Sequence, residues 1–267
     1  MIKKRIICIV QARMSSKRLP AKILLSGYDK PLLLHTIERL KKSKKIKDVI
    51  IATSKLKIDD VIFDLCKKNK ISVFRGHPDN LLDRYYNCAK KYKSDIVVRI
   101  TSDCPLIDYE VVDSVIKRFE STKVDFCSNL HPPSFPDGFD VEVFSFKILK
   151  HAFLKAKKKF QKEHVTPYIW DNPTKFKISN YSTSLKNRYY EKYRLTIDYK
   201  EDYFVIWKIY QKLYKKNKFF RLKSILNFLR KNPKFLINKN LIKDNWYKHY
   251  LTKLKTITKK DTRLANV

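Results

Sequence analysis

The chain has 267 residues and is 43% hydrophobic, enough for one large α/β domain, or one domain with an appendage, around a sizeable core. No stretch approaches the roughly 18 uncharged apolar residues of a membrane-spanning helix, and five scattered cysteines without a Cys-x-x-Cys pair argue against a disulfide framework or a zinc site. The formal net charge of +34 raises the question of nucleic acid, but Lys outnumbers Arg by more than three to one and no patch concentrates Arg with aromatics, so no nucleic-acid partner is expected.

Ile6-Ile7-Cys8-Ile9-Val10 reads as a buried strand. It is too short for the apolar core of a secretion signal, so a cytoplasmic location is expected. The strand empties into Gln11-Ala12-Arg13-Met14-Ser15-Ser16-Lys17-Arg18-Leu19-Pro20-Ala21-Lys22. Arg offers a planar fork for phosphate oxygens and Lys a point charge, with Ser15 and Ser16 adding hydroxyls, so this loop suits a polyphosphate. A solvated basic loop is the alternative for any one of these residues. The position favours the first reading, because open α/β sheets bind ligands at the carboxyl ends of their strands.

Pro31 opens a helix carrying Leu33, Ile37 and Leu40, and Val49 to Ala52 is a buried strand. Ile58 to Asn69 forms an amphipathic helix with Val61, Ile62, Leu65 and Cys66 on its apolar face. Ile71 to Phe74 is a short strand, and Leu81 to Tyr92 a helix capped by Asp79 or Asn80. Ile96 to Ile100 is a strand, followed by a helix over Val111 to Phe119 and a strand over Val124 to Cys127. His131 to Gly138 is a loop, and Asp140 to Phe144 alternates like a half-exposed strand. Helices follow over Phe146 to Lys159 and Glu163 to Trp170. Tyr193 to Ile197 reads as a strand ending at Asp198, and Phe204 to Leu213 as a helix. Small helical segments around Ile225-Phe228-Leu229 and Leu241-Ile242-Trp246-Tyr250 complete the chain. Alternation of this kind predicts an α/β fold with a mostly parallel sheet.

Three further constellations bear on chemistry. Arg99-Ile100-Thr101-Ser102-Asp103-Cys104-Pro105 places an acid at the end of a buried strand, and Asp108 is better placed than Asp103 to cap the next helix. Leu195-Thr196-Ile197-Asp198 repeats the arrangement. Two such acids on neighbouring strands would share a Mg²⁺, which prefers hard oxygen ligands and serves phosphoryl or nucleotidyl transfer. Asp137, Asp140, Glu142, Glu163 and His164 would bind a hydroxyl-rich acceptor; His164 is either a general base or a loop anchor. The chain has no P-loop, dinucleotide-binding turn, nucleophile elbow or zincin motif. After Glu201 only Asp202, Asp244 and Asp261 oppose a long basic series, a surface suited to peripheral contact with an anionic membrane, or simply a solvated face.

Taken together these segments resemble the cytidylyltransferases that activate acidic sugars, in particular the spore coat polysaccharide biosynthesis protein F-like branch, and more distantly the CMP-sialate and CMP-Kdo synthetases. The matching strings include Val10 to Lys22, Pro31 to His35, Val73 to Gly76, Leu82 to Tyr86, Val98 to Asp108, Phe135 to Phe144, Glu163 to Tyr168 and Leu195 to Asp198. The resemblance implies a Rossmann-like nucleotide-diphospho-sugar transferase fold, a GT-A-like three-layer sandwich. It implies Mg²⁺-dependent transfer of CMP from CTP to a sugar-acid acceptor for surface polysaccharide or glycan synthesis, with pyrophosphate leaving, and a homodimer. By position Arg13, Lys22, Asp103 and Asp198 would be catalytic, with Asp103 and Asp198 on the metal. Gln11, Ser15, Ser16, Arg18, Arg75, Asp83, Arg84 and Thr101 would join them around the nucleotide, and Asp137, Asp140, Glu142, Glu163 and His164 around the acceptor. Ala21 and Ser102 stand where the family usually has Gly, at points where a positive φ would strain any side chain. The implied organisation is a nucleotidyltransferase domain over 1–215 and a basic helical C-terminal extension over 216–267. A GT-A-type glycosyltransferase, or a sugar-phosphate nucleotidyltransferase on the same fold, is the alternative. A glycosyltransferase holds only a diphosphate and needs fewer loop cations.

Overall fold

The computed structural model describes residues 4–183 and 188–244. Its strands are β1 (Ile6–Gln11), β2 (Asp48–Ser54), β3 (Ser72–Gly76), β4 (Ile96–Thr101), β5 (Phe126–Ser128), β6 (Glu142–Ser145) and β7 (Ile178–Asn180). They form one sheet in the order β3-β2-β1-β4-β6-β5-β7. All neighbours are parallel except those of β6, which runs antiparallel to both β4 and β5.

The helices are α1 (Leu32–Leu40), α2 (Asp60–Lys68), α3 (Leu81–Lys91), α4 (Tyr109–Thr122), α5 (Phe146–Lys155), α6 (Lys159–His164), α7 (Pro167–Trp170), α8 (Tyr189–Lys192), α9 (Lys200–Leu213) and α10 (Leu222–Lys231). Side chains alternate across a strand, so the apolar run of β1 feeds two cores. Ile6, Cys8 and Val10 pack with α1, α2, α4, α9 and α10, whereas Ile7 and Ile9 pack with α3, α5 and α7. The result is a three-layer α/β/α sandwich whose strand ends are free to carry a site. Among the described residues no helix is long and apolar enough to cross a membrane.

Several expectations are corrected. Tyr193 to Ile197 is buried and extended but is not a strand of the sheet. It makes one isolated bridge, Asp137 with Arg194, while β7 takes the place beside β5. Val124 and Asp125 precede β5 rather than belong to it. The acid-bearing strand is not half-exposed: Glu142 is buried because Arg99 sits directly opposite it in β4 and neutralises it. The helix expected over Glu163 to Trp170 breaks at Val165, whose φ of 72° ends α6, and Pro167 starts α7. Val61 and Ile58 are exposed, leaving Ile62 and Cys66 as the buried face of α2. Asn80 caps α3 by accepting from the Asp83 amide, and Asp108 caps α4.

Residues 216–244 pack on the same core through Phe220, Ile225, Leu226 and Leu229. The buried Arg39 guanidinium donates to the Phe220 carbonyl at 2.6 Å and to the Ile107 carbonyl at 2.7 Å, which ties this segment to β4's outgoing loop. Trp246 and Tyr250 lie outside the described residues.

Candidate active site

The loop after β1 is held from below. The Met14 amide donates to Asp59 at 2.7 Å, and the amides of Ser16 and Ala21 both donate to the Met14 carbonyl, which folds the basic stretch back on itself. Ala21 closes this fold at φ 55°, ψ 18°, in the left-handed region that glycine favours. Ser102, the other position flagged from the sequence, is not among the residues with positive φ. The turn at Ala21 aims Lys22 into the molecule, where its Nζ donates to Asp103 Oδ2 at 3.0 Å, Asp198 Oδ1 at 2.9 Å and the Ile197 carbonyl at 2.6 Å. Residues 81 and 176 positions away thus meet on one ammonium. Arg18 reaches the same Asp198 oxygen at 2.6 Å from its exposed side.

Asp198 is fixed from behind by Arg194. This buried guanidinium forms ion pairs with Asp137 at 3.1 Å, Asp198 at 3.0 Å and Asp202 at 2.9 Å. Asp202 turns its second oxygen to the amides of Asp198 and Tyr199 and so caps α9. Asn238, far along the chain, donates to the Arg194 carbonyl at 3.0 Å and to Asp202 at 2.8 Å. The extended segment 193–197 is itself hydrogen-bonded to its neighbours. The Leu195 amide donates to the Asp137 carbonyl and the Ile197 amide to the Asp103 carbonyl. Asp103 and Asp198 therefore converge without lying on neighbouring strands.

Of these groups Arg18, Asp103, Asp137, Arg194 and Asp198 border a cavity of about 230 Å³ at the carboxyl edge of the sheet, while Lys22 reaches it only through the two aspartates it holds. Gln11, Arg18, Arg99, Thr101, Asp103, Asp137, Asp140, Glu142, His164, Arg194 and Asp198 line it, with Leu130, Trp170 and Thr196. At its floor Arg99 pairs with Glu142 and donates to Gln11 Oε1 at 3.2 Å, while Thr166 donates to Glu142 at 2.8 Å. The Tyr85 hydroxyl meets the same Gln11 oxygen at 3.2 Å.

Other sequence-derived positions stand apart. Arg13, Ser15 and Glu163 are exposed and do not line the cavity, and Ser16 accepts from the Leu19 amide. Arg75 and Asp83 line a separate groove, with Arg75 bonded to the Ser54 and Leu56 carbonyls and paired with Asp60. Arg84 is buried on the His77 and Pro78 carbonyls. Cys104 is buried, and burial raises its thiol well above the ordinary range, which makes it a poor nucleophile.

The electrostatics follow from this packing. Burial would raise Asp103, but Lys22 and the Thr101 hydroxyl outweigh it and hold the carboxyl at about 2. Burial would lower Lys22, but the two aspartates outweigh that and keep it charged. Asp137 is pushed up to about 7, first by burial and then by Asp198, Asp103 and Asp202, with Arg194 opposing. Arg99 and Arg194 were not singled out from the sequence. Each is a charge within a mostly apolar segment, and that pattern signals a buried ion pair.

Mg²⁺ is commonly held by one or two carboxylates together with phosphate oxygens and water. Asp103 and Asp198 present oxygens to a single cationic point, Lys22 Nζ, and so supply a fitting donor set. Among the described residues no group of three or more His, Cys, Asp or Glu is arranged to hold a metal by itself.

A mostly parallel sheet with a basic loop and paired aspartates at its carboxyl edge is the framework of a nucleotidyltransferase. Residues 7–243 match the cytidylyltransferase family model. The spore coat polysaccharide biosynthesis protein SpsF of Bacillus subtilis is 34% identical over 212 residues, 78% of this chain and 87% of the relative. The 3-deoxy-manno-octulosonate cytidylyltransferase of Chloroherpeton thalassium is 32% identical over 134 residues, 49% of this chain and 52% of the relative. A cytidylyltransferase structure from Leptospira borgpetersenii superposes with a TM-score of 0.81 at 35% identity, covering 88% of this chain and 98% of that one. The chain belongs to the cytidylyltransferase family and is a CTP-dependent nucleotidyltransferase.

Proposed function

We propose that this enzyme transfers CMP from CTP to a hydroxyl of an acidic sugar, in a Mg²⁺-dependent reaction that releases pyrophosphate and supplies surface polysaccharide or glycan synthesis. The observation that carries the reading is the convergence of Lys22, Arg18, Asp103 and Asp198 at one cavity edge. In this reading Lys22 and Arg18 meet the triphosphate, with Arg13, Ser15 and Ser16 on the outer loop. Asp103 and Asp198 hold the metal, which when bound supplies positive charge beside the phosphate oxygens. The role of this chain's residues is to bind and orient, since little of phosphoryl transfer is covalent work for the protein. Arg194, paired with Asp198 at 3.0 Å, keeps that carboxylate aimed. Gln11 and Thr101 complete the nucleotide side of the cavity.

The acceptor occupies the opposite end, among Asp137, Asp140, Glu142 and His164. The relative named for 3-deoxy-manno-octulosonate supports an acidic sugar there, as does Arg99 at the cavity floor.

The test is a pyrophosphate-release screen of the four nucleoside triphosphates against a panel of sugar acids, with Mg²⁺ or with EDTA. Release from CTP alone, dependent on one acid and on Mg²⁺, is expected. Equal release from another triphosphate, or release in EDTA, would overturn the reading.

A further inference from the structure

Of the carboxylates that line the cavity, Asp140 alone has no hydrogen bond and no ion pair among the described residues. Asp103 is taken by Lys22, Asp137 by Arg194, Glu142 by Arg99 and Thr166, and Asp198 by Lys22, Arg18 and Arg194. An idle carboxylate at the acceptor end would be unremarkable on a loose loop. This one is on a clamped segment. The buried Asn129 side chain donates to the Phe139 carbonyl at 2.7 Å and accepts from the Val141 amide at 2.9 Å, so it grips the residues on both sides of Asp140. Phe139 and Val141 are themselves fully buried in the core, and the Asn129 amide returns a bond to the Val141 carbonyl. Gly138 seats the start of the segment at φ +101°, where a Cβ would come within 2.4 Å of the Leu195 carbonyl carbon. With its neighbours pinned inward, Asp140 is half-buried and borders the cavity.

We infer that Asp140 is the general base that takes the proton from the acceptor hydroxyl. The inference rests on the cytidylyltransferase reading above and assigns a step within it. As the acceptor oxygen forms its bond to the α-phosphorus, its proton passes to an Asp140 oxygen. The bond from the α-phosphorus to the bridging oxygen breaks, and pyrophosphate leaves with that electron pair. Atoms and charge balance with CTP and the acceptor alone.

The surroundings suit a base. Burial raises the proton affinity of Asp140 well above the ordinary carboxylate range, and the like charges of Asp137, Asp103 and Glu142 add to it, against Arg99. Arg18, His164, Arg194 and Asp198 border the same cavity, and the Cys104 thiol lies close enough to be influenced by Asp140.

The experiment compares Asp140→Asn, Asp140→Glu and His164→Gln in the full chain. Pyrophosphate release from CTP and Mg²⁺ is measured with the sugar acid that the screen selects, and with water as acceptor. The thermal shift induced by CTP and Mg²⁺ is measured alongside. Asp140→Asn is expected to lower kcat by about 100- to 10,000-fold, the usual contribution of a general base. Its KM for CTP and its CTP-induced thermal shift should match the wild type, the acidic limb of the wild-type kcat profile should vanish, and Asp140→Glu should recover part of the rate. Four results would each overturn the assignment: wild-type kcat in Asp140→Asn, a rise confined to the acceptor KM, loss of the CTP thermal shift, or an acidic limb that disappears in His164→Gln instead. A wild-type protein that neither responds to CTP nor releases pyrophosphate would instead sink the underlying reading.

Discussion

Replacing Lys22 with Met removes the ammonium while keeping most of the side-chain length. In the native protein that ammonium sits 3.0 Å from Asp103 and 2.9 Å from Asp198. Asp198 retains Arg18 and Arg194, so the loss falls mainly on Asp103. The Asp103 carboxyl is ionised down to about 2 in the folded protein, against an ordinary value of 3.8. Such a depressed acid stabilises the fold fully above pH of about 4, and the contribution disappears as pH falls through about 2. The interval corresponds to about 2 kcal/mol at pH 7. For a chain of this size that is a fall in Tm of about 4–8 °C. Thermal unfolding of wild type and Lys22→Met, followed by circular dichroism from pH 2 to pH 7, reads the effect directly. The two curves should be well separated at neutral pH and should converge in acid. Identical Tm values at pH 7, or a gap that persists undiminished at pH 2, would refute the claim that Lys22 and Asp103 are an ion pair of this strength.

Ala21→Gly should stabilise the protein by roughly 0.5 kcal/mol, because relief of a left-handed alanine (about 1–2 kcal/mol) exceeds glycine's added unfolded-state freedom (about 0.4–1 kcal/mol); a lowered Tm would count against the loop geometry at φ 55°. Asn238→Ala leaves the buried Arg194 carbonyl and Asp202 short of a donor and should cost about 1–3 kcal/mol, with unchanged urea unfolding as the contrary result. Asp103→Asn should keep the fold but lower pyrophosphate release by at least about 100-fold, since metal-held charge is worth several kcal/mol in the transition state. Near-normal release would mean the metal is held elsewhere.

Much of the fold was legible because buried strands announce themselves. Val49 to Ala52 and Ile96 to Ile100 are nearly uninterrupted apolar runs, and β1 reads the same way. Strand β7 is three residues, Ile178-Ser179-Asn180, with a single aliphatic side chain, and carries no such signal. The alternation Asp140-Val141-Glu142-Val143 mimics an edge strand. Only the register with β4, which sets Glu142 against Arg99, shows that the acid belongs inside.

The site divides in the same way. Lys22, Asp103 and Asp198 could be read as a group because Lys22 belongs to the basic loop that an apolar strand empties into, and each aspartate follows an apolar run. The support behind them could not. Arg194 finds Asp137 across 57 positions and Asp202 across 8, and Asn238 reaches Asp202 from 36 positions away. Those pairings are products of tertiary packing, and no local pattern encodes them. The same holds for the grip of Asn129 on the backbone around Asp140.

The central claim is that the β1 loop and two aspartates from distant segments close on one metal–triphosphate. Crystals grown with CTP and Mn²⁺ in place of Mg²⁺ test it through the anomalous signal of manganese. The expected map has the manganese peak bonded to Asp103 and Asp198, with the triphosphate against Lys22 and Arg18. A peak elsewhere, or nucleotide bound away from both carboxylates, would contradict it.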